Sequence, residues 1–283
     1  MATKTKKADD AQKGKTALSA TLRSNTPSAT VTAEKVYTGK EIVDLYNSGR
    51  RDFIRINAKG ANLTGANLIN ANFSGANLKH VDFKYANLQG AYLQNADLSG
   101  ADLREANLAG AYLQNADLSG ADLREANLAG AYLQNADLSG ADLRYAYLFG
   151  AKLHNAYLTG ANLQGADLRY ADLSCAYLRD ANLSGAYLIN AHMSHGDLKY
   201  ANLQGAYLQN AYLQDADLFG AKLRNAELED ADLSNAHMSH GDLRYAYLKG
   251  AKTSKVQTFK TQTSSAQTSE ARDLKKQLSL LGI

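Results

Sequence analysis

The chain has 283 residues, a formal net charge of +3, one cysteine, one proline and no tryptophan. Its lone cysteine, Cys175, excludes an intrachain disulfide and a cysteine-based metal site, which agrees with a reducing cytoplasm. No apolar run is long enough for a secretory core or a membrane span. We therefore expect a cytoplasmic protein with no membrane span.

Residues 1–36 are rich in Lys, Ala, Thr and Ser and have no sustained apolar period. This composition cannot bury enough surface to order itself, so we interpret the segment as a disordered basic tail. Its early lysines also fit a transit peptide, although Asp9 and Asp10 and the low arginine content argue against that interpretation.

Residues 37–50 predict an N-terminal capping element with a short helix over 39–48. Thr38 and Glu41 have the spacing of a capping box, and Gly49 is a plausible stop. The apolar residues that share one face of this helix are Ile42, Leu45 and Tyr46. We expect the helix to cover the open end of the repeat that follows, where the core and a strand edge are otherwise exposed.

Residues 51–250 repeat with a period of five, in which the first residue is Ala in 35 of 40 units and the third is Leu in 34. A helix would repeat apolar residues at three and four, and a strand at two, so neither explains this period. Within one unit the first and third residues share a face, as in a very short strand. A chain that turns a corner after each unit therefore directs every Ala and Leu inward.

A longer repeat of twenty residues indicates how many five-residue units form one coil. The sequence AYLQNADLSGADLREANLAG begins at residue 91 and again at 111, and its first fourteen residues return at 131. Duplicating four units preserves vertical stacking only if four units make one coil, so we predict about ten four-sided coils in a rod roughly 48 Å long. The inward residues that we assign to its structural core include Phe53, Phe73, Phe83, Leu93, Leu98, Leu103, Leu108, Leu113, Leu118, Leu123, Leu128, Met193 and Met238.

The fifth position of the unit is Gly in 16 units and Asn in 9. Both residues tolerate positive φ, which predicts that some corners adopt it. Tyr, His, Glu and Asp occupy other fifth positions, so we expect corners of more than one turn type.

After Gly250 the pattern of Ala and Leu fails, and we interpret 251–283 as a linker followed by a C-terminal amphipathic helix. The leucines with helical spacing in that helix are Leu274, Leu278 and Leu281. An apolar stripe on a terminal helix either folds back to cap the last coil or pairs with another protein, including a second copy of this chain in a homodimer.

Charge is unevenly distributed: residues 51–250 hold 16 basic and 21 acidic side chains, which makes −5, while the flanking segments are +4 each. Residues twenty apart stack, so the surface can be read as columns. One acidic column, Asp102 to Asp142, has an arginine column beside it at Arg104 to Arg144. The candidate partner-binding surface consists of a more anionic column and a tyrosine column, Asp97, Asp117, Asp137, Tyr92, Tyr112 and Tyr132. Tyrosine is enriched at interfaces, but ladder packing between coils explains the same column.

Catalytic interpretations find little support. HMSH occurs twice, and His192 and His195 lie nine units from His237 and His240, so the four side chains cannot form one metal site. A tube filled by Ala and Leu leaves no interior pocket. We therefore predict no enzyme activity, no cofactor, no metal and no small-molecule substrate.

The run A[N/D/Y]LxG, as in ANLTG at 61–65 and ADLSG at 96–100, resembles the pentapeptide-repeat proteins over 200 of the 283 residues. This resemblance implies an all-β solenoid, a right-handed quadrilateral β-helix, here with short helical caps at its ends. A short helical cap followed by GRRDF is most similar to cyanobacterial members.

These observations favour a non-enzymatic scaffold that presents the faces of a β-helical rod to a protein partner. The alternative implied by the resemblance is a DNA-mimicking binder of DNA gyrase or topoisomerase, as in members that give quinolone resistance; the charge of −5 and the arginine column count against it. Binding of nucleic acid or an anionic surface through the basic tails is a further alternative. Nucleic acid is not the expected partner, because no interleaved basic and aromatic motif accompanies the tails.

Overall fold

The computed structural model describes residues 35–263. Its one helix among these residues, α1, spans Gly39–Asn47. The capping box is formed: Glu41 N donates to Thr38 Oγ1 (3.2 Å), and Thr38 N donates to Glu41 Oε2 (2.8 Å). These two bonds satisfy amides at the helix start that have no partner within the helix.

Four parallel ladders join residues that lie twenty apart in the sequence. The one exception is the bridge from Val36, which precedes the helix, to Asn57, which lies 21 residues later. Each side of the solenoid contributes one bridged residue, the second of its unit, in place of an extended strand. We name the four ladders by their first and last residues: face 1, Asp52 to Lys252; face 2, Val36 to Gln257; face 3, Asn62 to Gln262; face 4, Asn67 to Tyr247.

Neighbouring coils are held by paired backbone hydrogen bonds on each face. Leu113 N donates to Tyr132 O (2.7 Å), and Tyr132 N donates to Ala111 O (2.9 Å). Where the second residue of a unit is Asp or Asn, its side chain also accepts from the amide two residues later, as Asp117 Oδ1 does from Ser119 N (2.9 Å). This local bond stabilises the approach to the corner and explains why Asp and Asn are frequent there.

First and third residues of the units fill the interior, which is a single hydrophobic cluster. The thirteen residues assigned to the core from the sequence are all buried, from Phe53 at 0% exposure to Met238 at 2%. Near the N-terminal end the side chains are larger, and the Phe53 and Phe73 rings stack at 5.1 Å. Alternation of Ala with Leu allows four short sides to close around a narrow axis without voids.

The corners differ from the expectation that they would be of several types. Every fifth residue from Arg55 to Lys260 has a φ between +52° and +70°, whether it is Gly, Asn, Tyr, His, Glu or Asp. A residue other than glycine in this left-handed backbone conformation lowers the stability of the fold by about 1–2 kcal/mol. The cost is tolerated because each corner lies between backbone bonds, such as Glu105 N to Arg124 O (3.0 Å) and Ala106 N to Leu103 O (3.1 Å).

Replacing Glu125 with Gly is expected to raise the unfolding free energy by about 0.5 kcal/mol, because the strain at φ +59° is relieved by more than glycine's added entropy in the unfolded chain. The matched change Gly120→Ala, at φ +62° where a Cβ would meet open space, is expected to lower it by about 0.5 kcal/mol, because the strain exceeds the entropy that alanine removes from the unfolded chain. Urea unfolding of both variants tests this; an effect of the same sign in both would contradict it.

At the C-terminal end the predicted boundary at Gly250 is wrong, since the ladders continue through Lys252, Gln257 and Gln262. The five-residue register is intact there, but Thr258 takes a position that Leu holds elsewhere and Thr261 takes one that Ala holds elsewhere. Thr258 and Thr261 are buried, and Thr261 Oγ1 donates to Met238 O (2.8 Å). Thr258 Oγ1 is buried without a hydrogen-bond partner among residues 35–263. Small β-branched side chains therefore continue coils that a search for Ala and Leu treats as ended.

Helix α1 packs against the first coil of the solenoid. Gly39 lies so close to face 3 that a Cβ on it would fall 1.6 Å from Asn62 O. Further along the helix, Ile42 is buried and Tyr46 Oη donates to Ile69 O (2.9 Å). Arg51 closes the junction, because its guanidinium lies 3.8 Å above the Tyr46 ring and donates to Tyr46 O.

Two sequence predictions lie wholly or mostly outside the described residues. The predicted tail at 1–36 is described only from residue 35, and Val36 already forms a parallel bridge with Asn57. The predicted C-terminal helix with Leu274, Leu278 and Leu281 lies beyond residue 263 and stays a prediction.

Candidate protein-interaction surface

The predicted tyrosine column forms a stacked ladder on face 1. Tyr92 and Tyr112 have ring centroids 4.9 Å apart, Tyr112 and Tyr132 are 5.0 Å apart, and both pairs are within 4° of parallel. Tyr92 and Tyr132 are 41% and 37% exposed. The rings stack face to face, so their apolar surfaces pack against one another. This arrangement agrees with the explanation that the tyrosine column stabilises the contact between coils.

The predicted acidic column lies on face 2, one corner away from the tyrosine ladder, so the structure does not bring the two sets onto one face. Lys79 Nζ lies 3.0 Å from Asp97 Oδ2. Desolvation would raise the pKa of Asp97, but hydrogen bonds from Ser99 and Lys79 outweigh it and hold the pKa below its ordinary value. Asp117 and Asp137 accept from the amides of Ser119 and Ser139 at 2.9 and 3.0 Å. These carboxylates therefore act as hydrogen-bond acceptors that stabilise their own turns.

Face 3 carries the acidic column with its arginine column. Arg124 Nη2 lies 2.6 Å from Asp122 Oδ2, and its Nε lies 3.7 Å from Asp142 Oδ2 on the next coil. Arg104 pairs with Asp102 in the same bidentate way, and this hydrogen bond lowers the pKa of Asp102. On face 3 the aspartates are thus paired with arginines, which leaves little net electrostatic potential.

The paired aspartates predict a loss of stability in acid. Arginine hydrogen bonds lower the pKa values of Asp102 and Asp242, so the contribution of these two aspartates is present above the unfolded value near 3.9 and is lost as the pH falls further. Since both partners are about one third exposed, solvent screens the pair and its contribution is expected to be small. Urea unfolding at pH 7 and pH 3 is expected to show a smaller acid loss for Asp102→Asn than for the parent; equal losses would contradict this.

Face 4 carries an exposed cluster, which we call the aromatic patch: Tyr145, Tyr147, Phe149, Tyr170 and Tyr187. Its members are 44–56% exposed, more than the stacked tyrosines of face 1. Phe149 and Tyr170 meet edge to face at 5.3 Å. A cavity of about 290 Å³ opens between the tyrosines and is lined by Tyr145, Tyr147, Gly165, Asp167, Arg169 and Tyr187.

One ion pair lies at the centre of the aromatic patch. Arg169 donates to both carboxylate oxygens of Asp167, at 2.8 Å from Nε and 2.6 Å from Nη2, which lowers the pKa of Asp167. The same guanidinium lies 5.7 Å from the Phe149 ring centroid. Exposed Tyr, Phe and Arg on a rigid backbone are the residue types that dominate protein–protein binding energy.

The columns of residues twenty apart in the sequence identify only two members of the aromatic patch. Tyr147 and Tyr187 are second residues of their units and recur on one face, but Tyr145 and Tyr170 are corner residues and Phe149 is a fourth residue. Their nearness follows from the positive φ at every corner, which directs corner side chains beside the ladder. A map that includes fourth and fifth residues would have found the patch.

The histidines of the repeated HMSH lie apart and have separate partners. His192 stacks on Tyr212 at 4.5 Å, while His237 Nδ1 lies 3.2 Å from Asp217 Oδ1. Among residues 35–263, no three His, Cys, Asp or Glu side chains are grouped as a metal site. In the same part of the chain, no helix has the length and apolar character needed to cross a membrane.

Four parallel faces built from five-residue units, with side-chain ladders on the outside, define a β-solenoid repeat protein. The sequence profile of pentapeptide repeats matches in eight copies, and the matched residues together span 52–84 and 86–252. The chain therefore belongs to the pentapeptide-repeat family, whose members are right-handed quadrilateral β-helices and are generally structural or binding proteins.

The chain is also similar to pentapeptide repeat proteins of solved structure. The chain is 35% identical to HetL, a pentapeptide repeat protein involved in heterocyst differentiation regulation from the cyanobacterium Nostoc sp. strain PCC 7120, over 80% of this chain and 94% of HetL, with a TM-score of 0.37. This identity confirms the predicted likeness to cyanobacterial members.

Two other structures are more distant. A pentapeptide repeat protein from the Arabidopsis thaliana thylakoid lumen is 30% identical over 40% of this chain and 71% of its own, with a TM-score of 0.28. A trypsin-treated variant of QnrB1, a plasmid-mediated fluoroquinolone resistance protein, is 18% identical over 78% of this chain and 96% of its own, with a TM-score of 0.30. No curated protein matches the chain significantly.

Proposed function

We propose that this protein is a non-enzymatic, cytoplasmic interaction scaffold whose β-helical faces bind a protein partner. The observation that carries the proposal is the aromatic patch on face 4, where five large aromatic side chains are exposed and three of them, Tyr145, Tyr147 and Tyr187, line one cavity together with Arg169. Contiguous exposed aromatic surface on a rigid scaffold is costly in water and is typical of binding sites.

The faces supply the partner with a long, regular surface. Ladders that run from Asp52 to Lys252 with a twenty-residue interval fit about ten four-sided coils, spaced about 4.8 Å apart. Side chains on neighbouring coils are held at this interval by backbone bonds, so little conformational entropy is lost when a partner binds.

The DNA-mimicking alternative needs a continuous anionic face. On face 3 each of the aspartates Asp102, Asp122 and Asp142 is paired with an arginine of its own unit, and on face 2 Asp97 is paired with Lys79. The distribution of charge therefore supports protein binding through aromatic side chains over gyrase mimicry. A gyrase supercoiling assay with the full chain is expected to show no inhibition.

Affinity capture with matched surface variants tests the proposal. The full-length protein is expected to retain specific partners that Tyr147→Ser with Phe149→Ser loses, because these changes remove two exposed rings of the aromatic patch. The control, Tyr112→Ser with Tyr132→Ser, removes two rings of the face 1 ladder and is expected to keep the partners. Equal recovery with all three proteins, all shown to be folded by thermal unfolding, would contradict the proposal.

A further inference from the structure

The column of second residues on face 4 lacks one ring between two tyrosines. Tyr147 bridges Asp167, and Asp167 bridges Tyr187, so the two tyrosines lie two coils apart. Two coil spacings amount to about 9.6 Å. Further along the same column, Tyr187 and Tyr207 occupy successive coils, and their rings stack at 5.0 Å and within 5° of parallel. A ring placed over Asp167 would therefore lie at stacking distance from both Tyr147 and Tyr187.

The space at this missing position is open. The cavity of about 290 Å³ in the aromatic patch is lined by both tyrosines of the gap, Tyr147 and Tyr187, and by Tyr145 at the neighbouring corner. An apolar cavity of about 150 Å³ holds benzene, so this cavity has room for the ring of an aromatic side chain. We call this cavity the ring slot.

Contacts within the chain hold the walls of the ring slot in place. Arg169 donates from Nε and Nη2 to the two carboxylate oxygens of Asp167, at 2.8 and 2.6 Å, and its amide donates to Asp167 Oδ1 at 3.2 Å. Gly165 lines the slot at the corner, where a Cβ would fall 2.6 Å from Tyr145 Cε1. Because Gly165 has no side chain, the Tyr145 ring can lie against the corner backbone.

A second gap in the same column is not open to both of its tyrosines. Tyr207, Glu227 and Tyr247 repeat the arrangement sixty residues later. Glu227 is one methylene longer than Asp167, and it accepts a hydrogen bond from the side-chain amide of Gln209 on the preceding coil. The cavity beside Glu227 is lined by Tyr247 but not by Tyr207. Of the two gaps, the ring slot is therefore the one that presents two tyrosines to a single occupant.

We propose that the ring slot binds an aromatic side chain of the partner protein, which stacks between Tyr147 and Tyr187 and completes the ladder. This inference rests on the proposed function and adds the chemistry of the partner. Elsewhere the chain itself shows the same packing, since Tyr157 and Tyr177 on face 2 stack at 4.9 Å. Stacked aromatic pairs are favourable beyond the apolar area that they bury, so the slot favours an aromatic ring over an aliphatic group of equal volume.

The charges at the ring slot favour a protein side chain over a nucleobase. Proteins that stack single-stranded bases also track the phosphate backbone with a positively charged groove. Arg169 is the cation that lines the slot, and its two bonds to Asp167 make the pair neutral. An uncharged aromatic ring is therefore the occupant that the slot fits.

Titration of the full-length protein with N-acetyl-tryptophan amide, followed through ¹³C-labelled tyrosine rings by NMR, tests the proposal. Saturable upfield shifts are expected for Tyr147 and Tyr187, because both rings would face the bound indole. N-acetyl-cyclohexylalanine amide is expected to bind roughly fivefold more weakly, since its aliphatic ring buries apolar area without aromatic stacking. Uridine 5′-monophosphate is expected to cause no saturable shift.

Two matched variants change the slot and a neighbouring face in the same way. Asp167→Tyr places a ring of the chain's own at the missing position and is expected to abolish the shifts that the tryptophan amide causes at Tyr147 and Tyr187. Asp172→Tyr makes the same change in the next unit, on face 1, and is expected to leave those shifts unchanged. Thermal unfolding shows whether both variants are folded.

Four results would overturn the proposal: no saturable shifts with the tryptophan amide, equal binding of the cyclohexylalanine amide, tighter binding of uridine monophosphate, or unchanged binding by a folded Asp167→Tyr variant. Partner capture that depends on Tyr147 and Phe149 but survives Asp167→Tyr contradicts this inference alone. Binding of the tryptophan amide by a protein that captures no partner contradicts only the proposed function.

Discussion

Replacing Leu113 with Asp is expected to lower the unfolding free energy by more than about 4 kcal/mol. Leu113 is fully buried in a central coil, and the coils before and after it have the same leucine at Leu93 and Leu133. A carboxylate there lies in an apolar tube without a donor, so it must either ionise at high cost or stay protonated and lose the leucine contacts. Urea unfolding followed by circular dichroism measures the loss.

Two further variants at Leu113 provide a graded control. Leu113→Met preserves volume and is expected to cost less than about 1.5 kcal/mol, while Leu113→Ala removes volume without charge and is expected to cost about 2–5 kcal/mol. Since coils contact only their neighbours, the Asp variant is also expected to separate unfolding into two transitions, one for each side of the damaged coil. A single transition at the parent's midpoint would show that this leucine is not part of a continuous core.

Replacing Gly39 with Val is expected to displace helix α1 from the end of the solenoid and to cost about 3 kcal/mol. A Cβ at this position would fall 1.6 Å from Asn62 O and 2.6 Å from the carbonyl carbon, and a backbone group cannot move aside as a flexible side chain can. Displacing the helix would break the bond from Tyr46 Oη to Ile69 O and expose Ile42. Hydrogen exchange of the first-coil amides, together with urea unfolding, measures the effect.

Lys40→Ala is the matched control for this prediction. Lys40 is adjacent in the same helical turn and makes an exposed ion pair with Asp44, so its loss is expected to leave the unfolding midpoint unchanged. If Gly39→Val unfolds at the parent's midpoint and its first-coil amides remain protected, the helix does not close the solenoid as described.

Most of the fold follows from the sequence because the interior obeys one simple rule. The twenty-residue copies predict that Leu93 stacks beneath Leu113, and the bridge from Tyr92 to Tyr112 has that interval. The rule is less reliable where a different side chain fills an inward position. Thr258 and Thr261 do so as small β-branched residues, which is why a search for Ala and Leu does not find the last coils.

The corners and the candidate surface depend on three-dimensional context that composition does not show. Tyr145 and Tyr170 adopt φ of +59° and +60° only because ladder bonds on both sides outweigh the local cost. Once they do, their rings join Tyr147 and Phe149 on face 4.

The division of labour within each five-residue unit has a further consequence. Because only the first and third residues touch the interior, the outward residues can change in evolution or by design without repacking the core, and whole coils can be added or removed by tandem duplication. The identical copies at 91–110 and 111–130 have the form of such an event. Each added coil would thus lengthen the ladders by about 4.8 Å, while its outward side chains vary independently of those on the other coils.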